Sequence, residues 1–151
     1  MNFWREILGN RVLICAVSGW VVAQVLKTLI DVCLNGSLHV ERLFGSGGMP
    51  SSHSATVCAL ATASGIKYGP GSFEFAVSFV LAMVVMYDAI GVRQETGKQA
   101  RLLNSVFFEN ILNFDGVILQ EKLKEYVGHT PLQVVAGALL GIGVAALVSR
   151  V

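Results

Sequence analysis

Apolar residues fall in four blocks along this chain, separated by short polar stretches. The first, Val12 to Leu26 (VLICAVSGWVVAQVL), can continue through KTLIDVCL. The second, Ser54 to Ile66 (SATVCALATASGI), is mostly small side chains, the third runs from Phe73 to Val92, and the fourth is Pro131 to Val148 (PLQVVAGALLGIGVAALV). A membrane-crossing helix needs about 20 apolar residues. The first, third and fourth blocks reach that length or come close to it. The second has only 13, so it predicts a helix shielded by its neighbours or one that crosses only part of the bilayer. Between the third and fourth blocks, GKQARLLNSVFFENILN and LQEKLKEYVG place apolar residues at helical spacing among charges, the pattern of short interfacial helices. Gly137, Gly141 and Ala145 recur every four residues in the last block. They form a small-residue face that lets another helix approach closely and would permit a dimer.

Composition turns this pattern into a class. The chain is 54% apolar and 14% charged, with a mean hydropathy of +0.64, whereas soluble domains carry about 25% charged residues. The expectation is an all-α integral membrane bundle, one domain over the 151 residues, with about four membrane helices and short interfacial helices. The bilayer is then its first partner. A net charge of +1 offers no basic surface, so nucleic acid is not expected as a partner. The opening MNFWREILGNR is too polar for the core of a secretory signal, so the first block is expected to be retained. Cys15, Cys33 and Cys58 form no CxxC pair and no Cys/His cluster. They read as buried thiols, and neither a metal nor any other cofactor is called for.

Threading the four blocks through a bilayer brings the polar punctuation to one side. Lys27 ends the first helix, GGMPSSH starts the second, DAIGVR ends the third and GHTP starts the fourth. Lys27, Arg42, Ser51, Ser52, His53, Arg93 and His129 gather there, with Asp31 and Asp88 nearby. The stretch GGMPSSHSA can be a turn and a helix cap, or a helix start that aims backbone N–H groups at an anion. Two histidines entering by separate helix starts allow one to attack phosphorus while the other protonates the leaving oxygen. The surplus of Lys and Arg on this side favours a cytoplasmic site.

PSSH at residues 50 to 53 and HTPLQVVAGALLG at 129 to 141 resemble motifs of the type 2 phosphatidic acid phosphatase and vanadium haloperoxidase superfamily. GGMPSSHSA together with DAIGVRQETGKQARLLN is closer still to its divergent bacterial and plastid branch. The resemblance implies a bacterial cell membrane protein that dephosphorylates a lipid phosphate or diphosphate without metal. His129 would be the nucleophile that forms a phosphohistidine, and His53 the general acid. Ser51, Ser52, Arg93 and Lys27 would hold the phosphate. Asn35 stands where the family has an arginine, so Arg42 is assigned that role. Gln133 stands where the family has an acid that orients the nucleophile. A glutamine accepts the imidazole N–H but brings no charge, and neutralising the acid of a serine-protease triad costs about 10⁴ in rate, which sets the expected loss at about 10²–10⁴. The competing expectation is a non-catalytic protein that binds or moves an anionic phospholipid in the same positive cavity.

Overall fold

The apolar blocks become helices because each is started by a side chain able to take an orphan N–H of the first turn. The computed structural model describes residues 2–36, 48–108, 123 and 128–150. Its helices are α1 (Phe3–Leu8), α2 (Arg11–Asn35), α3 (Ser52–Tyr68), α4 (Phe73–Ile90), α5 (Val92–Phe108) and α6 (Pro131–Val148). Asn10 caps α2 by accepting from the Leu13 N–H, Ser51 caps α3 through Ser54, Ser72 caps α4 through Phe75, and Thr130 caps α6 through Gln133. Gly36 closes α2 at φ 68°, and Gly48, at φ 83°, stands in the turn before α3.

Among the described residues, three stretches are long and apolar enough to cross a membrane: Arg11–Leu34, Phe73–Val106 and Pro131–Val148. The fourth expected membrane helix, α3, has 17 residues. At 1.5 Å per residue it spans about 25 Å, short of a hydrocarbon core of about 30 Å. It is also the helix at the centre, packed against α2, α4 and α6. The expectation that its neighbours shield it holds.

This bundle keeps its small residues inside and its large ones outside. The buried cluster on the α2, α3 and α6 side is Val12, Cys15, Ala59, Ala63 and Ala145, and Leu139 and Leu147 of α6 are 66% and 67% exposed. In lipid there is no hydrophobic gain from burying a leucine against another helix. Association rests on close backbone packing, which small residues allow. Glycines mark where it happens. A Cβ on Gly137 would run into the Ser51 carbonyl oxygen, one on Gly141 into the Ala55 carbonyl oxygen, and one on Gly19 would sit 2.9 Å from the Ala59 Cβ. The pairs Ser51 with Gly137 and Ala55 with Gly141 advance together, so α3 and α6 run parallel. Gly65 lies against Phe75 while Cys58 meets Met86, so α3 and α4 run antiparallel.

Several expectations change in detail. The first helix does not end at Lys27 but runs to Asn35, leaving Lys27 buried about two turns from its end. Arg93 does not close the third helix; α4 stops at Ile90 and Arg93 lies in the first turn of α5. Cys15 and Cys58 are buried, but Cys33 is exposed, because the end of α2 turns that face away from the other helices. The Gly137, Gly141 and Ala145 face is spent on α3 within the chain. The first of the expected interfacial helices corresponds to α5; most of the second, LQEKLKEYVG, and Arg42 lie outside the described residues.

Gly141→Ala should lower stability by about 1–3 kcal/mol, since the new methyl meets backbone that cannot swing away. Gly143→Ala, at a position with open space around it, should be neutral. Thermal unfolding of both variants in detergent checks this, and equal behaviour would contradict the packing described.

Candidate functional site

The packing that holds α3 against α6 also fixes the polar end of the bundle. The Ser51 N–H donates to the Gln133 carbonyl at 3.1 Å, stitching the start of α3 to the first turn of α6. The His129 N–H donates to the Ala89 carbonyl at 3.1 Å, tying the approach to α6 to the end of α4. Gly128, at φ 98°, presses against the backbone of Arg93 and Gln94, where a Cβ would fall 2.7 Å from the Gln94 nitrogen. Only glycine accepts both that φ and that contact. It sets His129 beside the start of α5 despite the 36 positions that separate Arg93 from His129 in the sequence.

The two histidines face each other across this junction, with ring centroids 6.5 Å apart and planes inclined by 56°. His129 is 5% exposed, while His53 in the first turn of α3 is open. The charges of Lys27 and Arg93 act on both rings, and that of Asp88 acts on His53. Lys27 lies beneath the site at 2% exposure. Arg93 donates from Nε to Asp88 at 2.6 Å, an exposed pair that steadies the guanidinium. Four of the expected residues, Lys27, His53, Arg93 and His129, are thus brought together. Ser51 is fully buried and works as a cap, its hydroxyl oxygen accepting from the Ser54 hydroxyl at 3.0 Å. Ser52, also buried, is the first residue of α3.

Gln133 does more than stand in for an acid. Its Oε1 lies 3.1 Å from His129 Nδ1 and accepts the Thr130 N–H at 3.1 Å, while its own N–H reaches the Thr130 hydroxyl. This is a capping box around the start of α6. The backbone N–H decides which end of the amide faces inward, because only the carbonyl oxygen can accept it. An amide oxygen carries no proton, so His129 must donate through Nδ1–H and keep its lone pair on Nε2. The ring nitrogen that keeps its lone pair is therefore specified by a helix cap. The signal for it lay in the sequence as T-P-L-Q, a Thr followed three residues later by Gln, with Pro at the first helical position. Nothing in the sequence pointed to the Ala89 carbonyl or to Gly128 as the parts that seat His129.

His129 is held below the usual histidine range. Burial is the largest cause, the Lys27 and Arg93 charges act in the same direction, and the bond to Gln133 opposes them. Its imidazole is thus neutral at pH 7, the form that can attack an electrophile. Parallel α3 and α6 also point their positive ends at one spot, where the first-turn N–H groups of Ser52 and His53 have no acceptor within the helix. Two helix starts, a buried ammonium and a guanidinium make an environment for a multiply charged anion.

A family model described as the Divergent PAP2 family matches residues 8–144. The chain is also similar to YuiD of Bacillus subtilis (strain 168), described as an uncharacterized membrane protein, with 38% identity over 146 residues, 91% of this chain and 92% of that protein. No solved structure matches.

By NMR of histidine-labelled protein in detergent, His129 should titrate below the ordinary value of about 6.5. Gln133→Glu keeps the capping box and adds a negative charge beside Nδ1, so it should raise the His129 pKa. A His129 pKa above 6.5 in the unaltered chain would contradict the burial and charges described.

Proposed function

The chain belongs to the divergent PAP2 family, and on that premise we propose that it is an integral membrane phosphatase that hydrolyses a lipid phosphate monoester or diphosphate between His53 and His129. The observation that carries this reading is the pair of imidazoles 6.5 Å apart at the junction of two parallel helix starts. A near-attack approach of about 3–3.5 Å on one side and a hydrogen bond of about 2.6–3.2 Å on the other need a gap of that order. Phosphatidic acid, phosphatidylglycerophosphate and isoprenoid diphosphates all present the required group.

In the first step His129 Nε2 attacks phosphorus, the bond from phosphorus to the lipid oxygen breaks, and His53 gives its proton to that oxygen. A phosphate dianion seated between the rings favours the protonated form of His53. Lys27, Arg93 and the α3 amides stabilise the equatorial oxygens as charge spreads over them. In the second step water attacks the phosphohistidine and His53 takes up its proton, releasing inorganic phosphate and restoring both imidazoles. Gln133 holds the tautomer in both steps but leaves the positive charge on His129 uncompensated, so the turnover is slow. That neutrality is also what favours the second reading, a site that binds or moves an anionic phospholipid without cleaving it. The sequence expectation of more Lys and Arg on this side, which counts Arg42, Lys122 and Lys124 outside the described residues, favours a site facing the cytoplasm across the cell membrane.

Phosphate release from a panel of lipid phosphates in chelator separates the two readings. The unaltered chain should be slow, Gln133→Glu faster by about 10²–10⁴, and His129→Ala silent. Brief exposure to labelled substrate should leave acid-labile phosphate on the first two and none on His129→Ala. Silence and absence of label in all three, with the protein folded and lipid still bound, would overturn the enzyme and leave the binding protein. A cysteine at Gln99, on α5 at the same end, should react with an impermeant maleimide only after cells are opened; labelling of intact cells would reverse the orientation.

A further inference from the structure

The opposite end of α3 carries a second concentration of charge that the histidine site does not use. Lys67 lies 14 residues beyond His53, roughly 20 Å along the helix. Beside it is a crevice of about 150 Å³ lined by Arg11, Val12, Cys15, Ala63, Ile66, Lys67 and Ser149. Arg11 is the first residue of α2, Lys67 is the next to last of α3, and Ser149 follows the last residue of α6. Three helices therefore end at one level around the crevice, which places it where the bundle leaves the hydrocarbon.

Its chemistry is divided. The floor is apolar and buried, with Val12 at 8%, Cys15 at 1% and Ala63 at 3% exposure, and Ile66 opens the wall outward at 55%. The rim holds two cations from different helices and the Ser149 hydroxyl, which lies 3.6 Å from the Cys15 sulfur. None of the lining residues is acidic. Basic residues that merely anchor a span extend their stems along the lipid-facing surface and need no cavity between them. Here Arg11 and Lys67 flank a space left open by the small side chains of Cys15 and Ala63. An apolar floor with few polar partners does not hold water. Lys67 rests with its ammonium 5.0 Å from the centre of the Tyr68 ring, at the rim.

We propose that this crevice binds one anionic phospholipid from the leaflet opposite the histidine site. Its phosphate would lie between Arg11, Lys67 and the Ser149 hydroxyl, and the start of an acyl chain would pass over Ile66. The site needs no group that can be cleaved and is independent of the phosphatase reading. It would fasten the ends of α2, α3 and α6 together at the end of the bundle away from the chemistry.

Native mass spectrometry of the detergent-purified chain, titrated with phosphatidylglycerol, phosphatidylcholine or inorganic phosphate, tests it. One phosphatidylglycerol should bind more tightly than phosphatidylcholine, and inorganic phosphate should not compete at equal concentration, because it lacks the chain that fills the floor. Lys67→Gln should weaken that lipid about fivefold and Arg11→Gln with Lys67→Gln about 30-fold. Arg11→Lys with Lys67→Arg should retain it, and Lys98→Gln, an exposed change on α5 outside both sites, should leave it unchanged. No preference for phosphatidylglycerol in the unaltered chain, or a preference that survives Lys67→Gln but falls with Lys98→Gln, would overturn the proposal. Should the double variant not fold, the exposed Lys67→Gln change alone decides.

Discussion

Everything at the polar end of this protein depends on how closely the backbones of α3 and α6 approach. Gly137 and Gly141 give up their side chains to the carbonyls of Ser51 and Ala55, and Gly19 does the same from α2 against Ala55 and Ala59. Ala55 is thereby held from two sides and is fully buried. From that contact follow the parallel register of α3 and α6, the Ser51 to Gln133 bond and the facing of His53 and His129. A membrane bundle cannot obtain such precision from burying leucines, because lipid is as apolar as the helix interface. It obtains it from contact distance, where one methyl group is enough to separate the pair.

Parallel helices with adjoining starts carry an electrostatic cost, since their positive ends repel one another. Lys27 and Arg93 add to that charge, and Asp88 offsets only part of it while holding Arg93 in place. An anion held between the two helix starts would be stabilised by each of these charges. Gln133 fits into the same logic. A carboxylate at that position would lower the positive potential and hold a proton on His129. The neutral amide instead orients the imidazole, which burial and the Lys27 and Arg93 charges keep unprotonated, and under the proposed mechanism it withholds the charge that would stabilise a phosphohistidine.

The two ends of α3 are built on different terms. At its start, polar groups converge under tight backbone constraint and Ser51 and Ser54 are fully buried. At its far end, the packing loosens into an apolar crevice with a charged rim. One short central helix can serve both because it touches α2, α4 and α6 along its length and relies on none of them for its own caps, which come from Ser51 and Gly69.

The sequence by itself determined the class of the protein and most of the list of residues at the site. Apolar block lengths specified the spans, the four-residue spacing of Gly137, Gly141 and Ala145 specified a close helix contact, and the punctuation between blocks put His53, His129, Lys27 and Arg93 on one side. These are local or additive properties, which a chain displays without folding. What only the tertiary structure decided was which surfaces meet. It assigned the glycine face to α3 within the chain, carried Lys27 into the interior by extending α2 to Asn35, and bridged the long interval from Arg93 to His129 through Gly128 and the Ala89 carbonyl. It also turned the Gln133 amide so that one oxygen serves both the helix cap and the histidine. Backbone groups are the same at every residue, so a sequence does not reveal which carbonyl will receive which N–H; that choice exists only once the helices have packed.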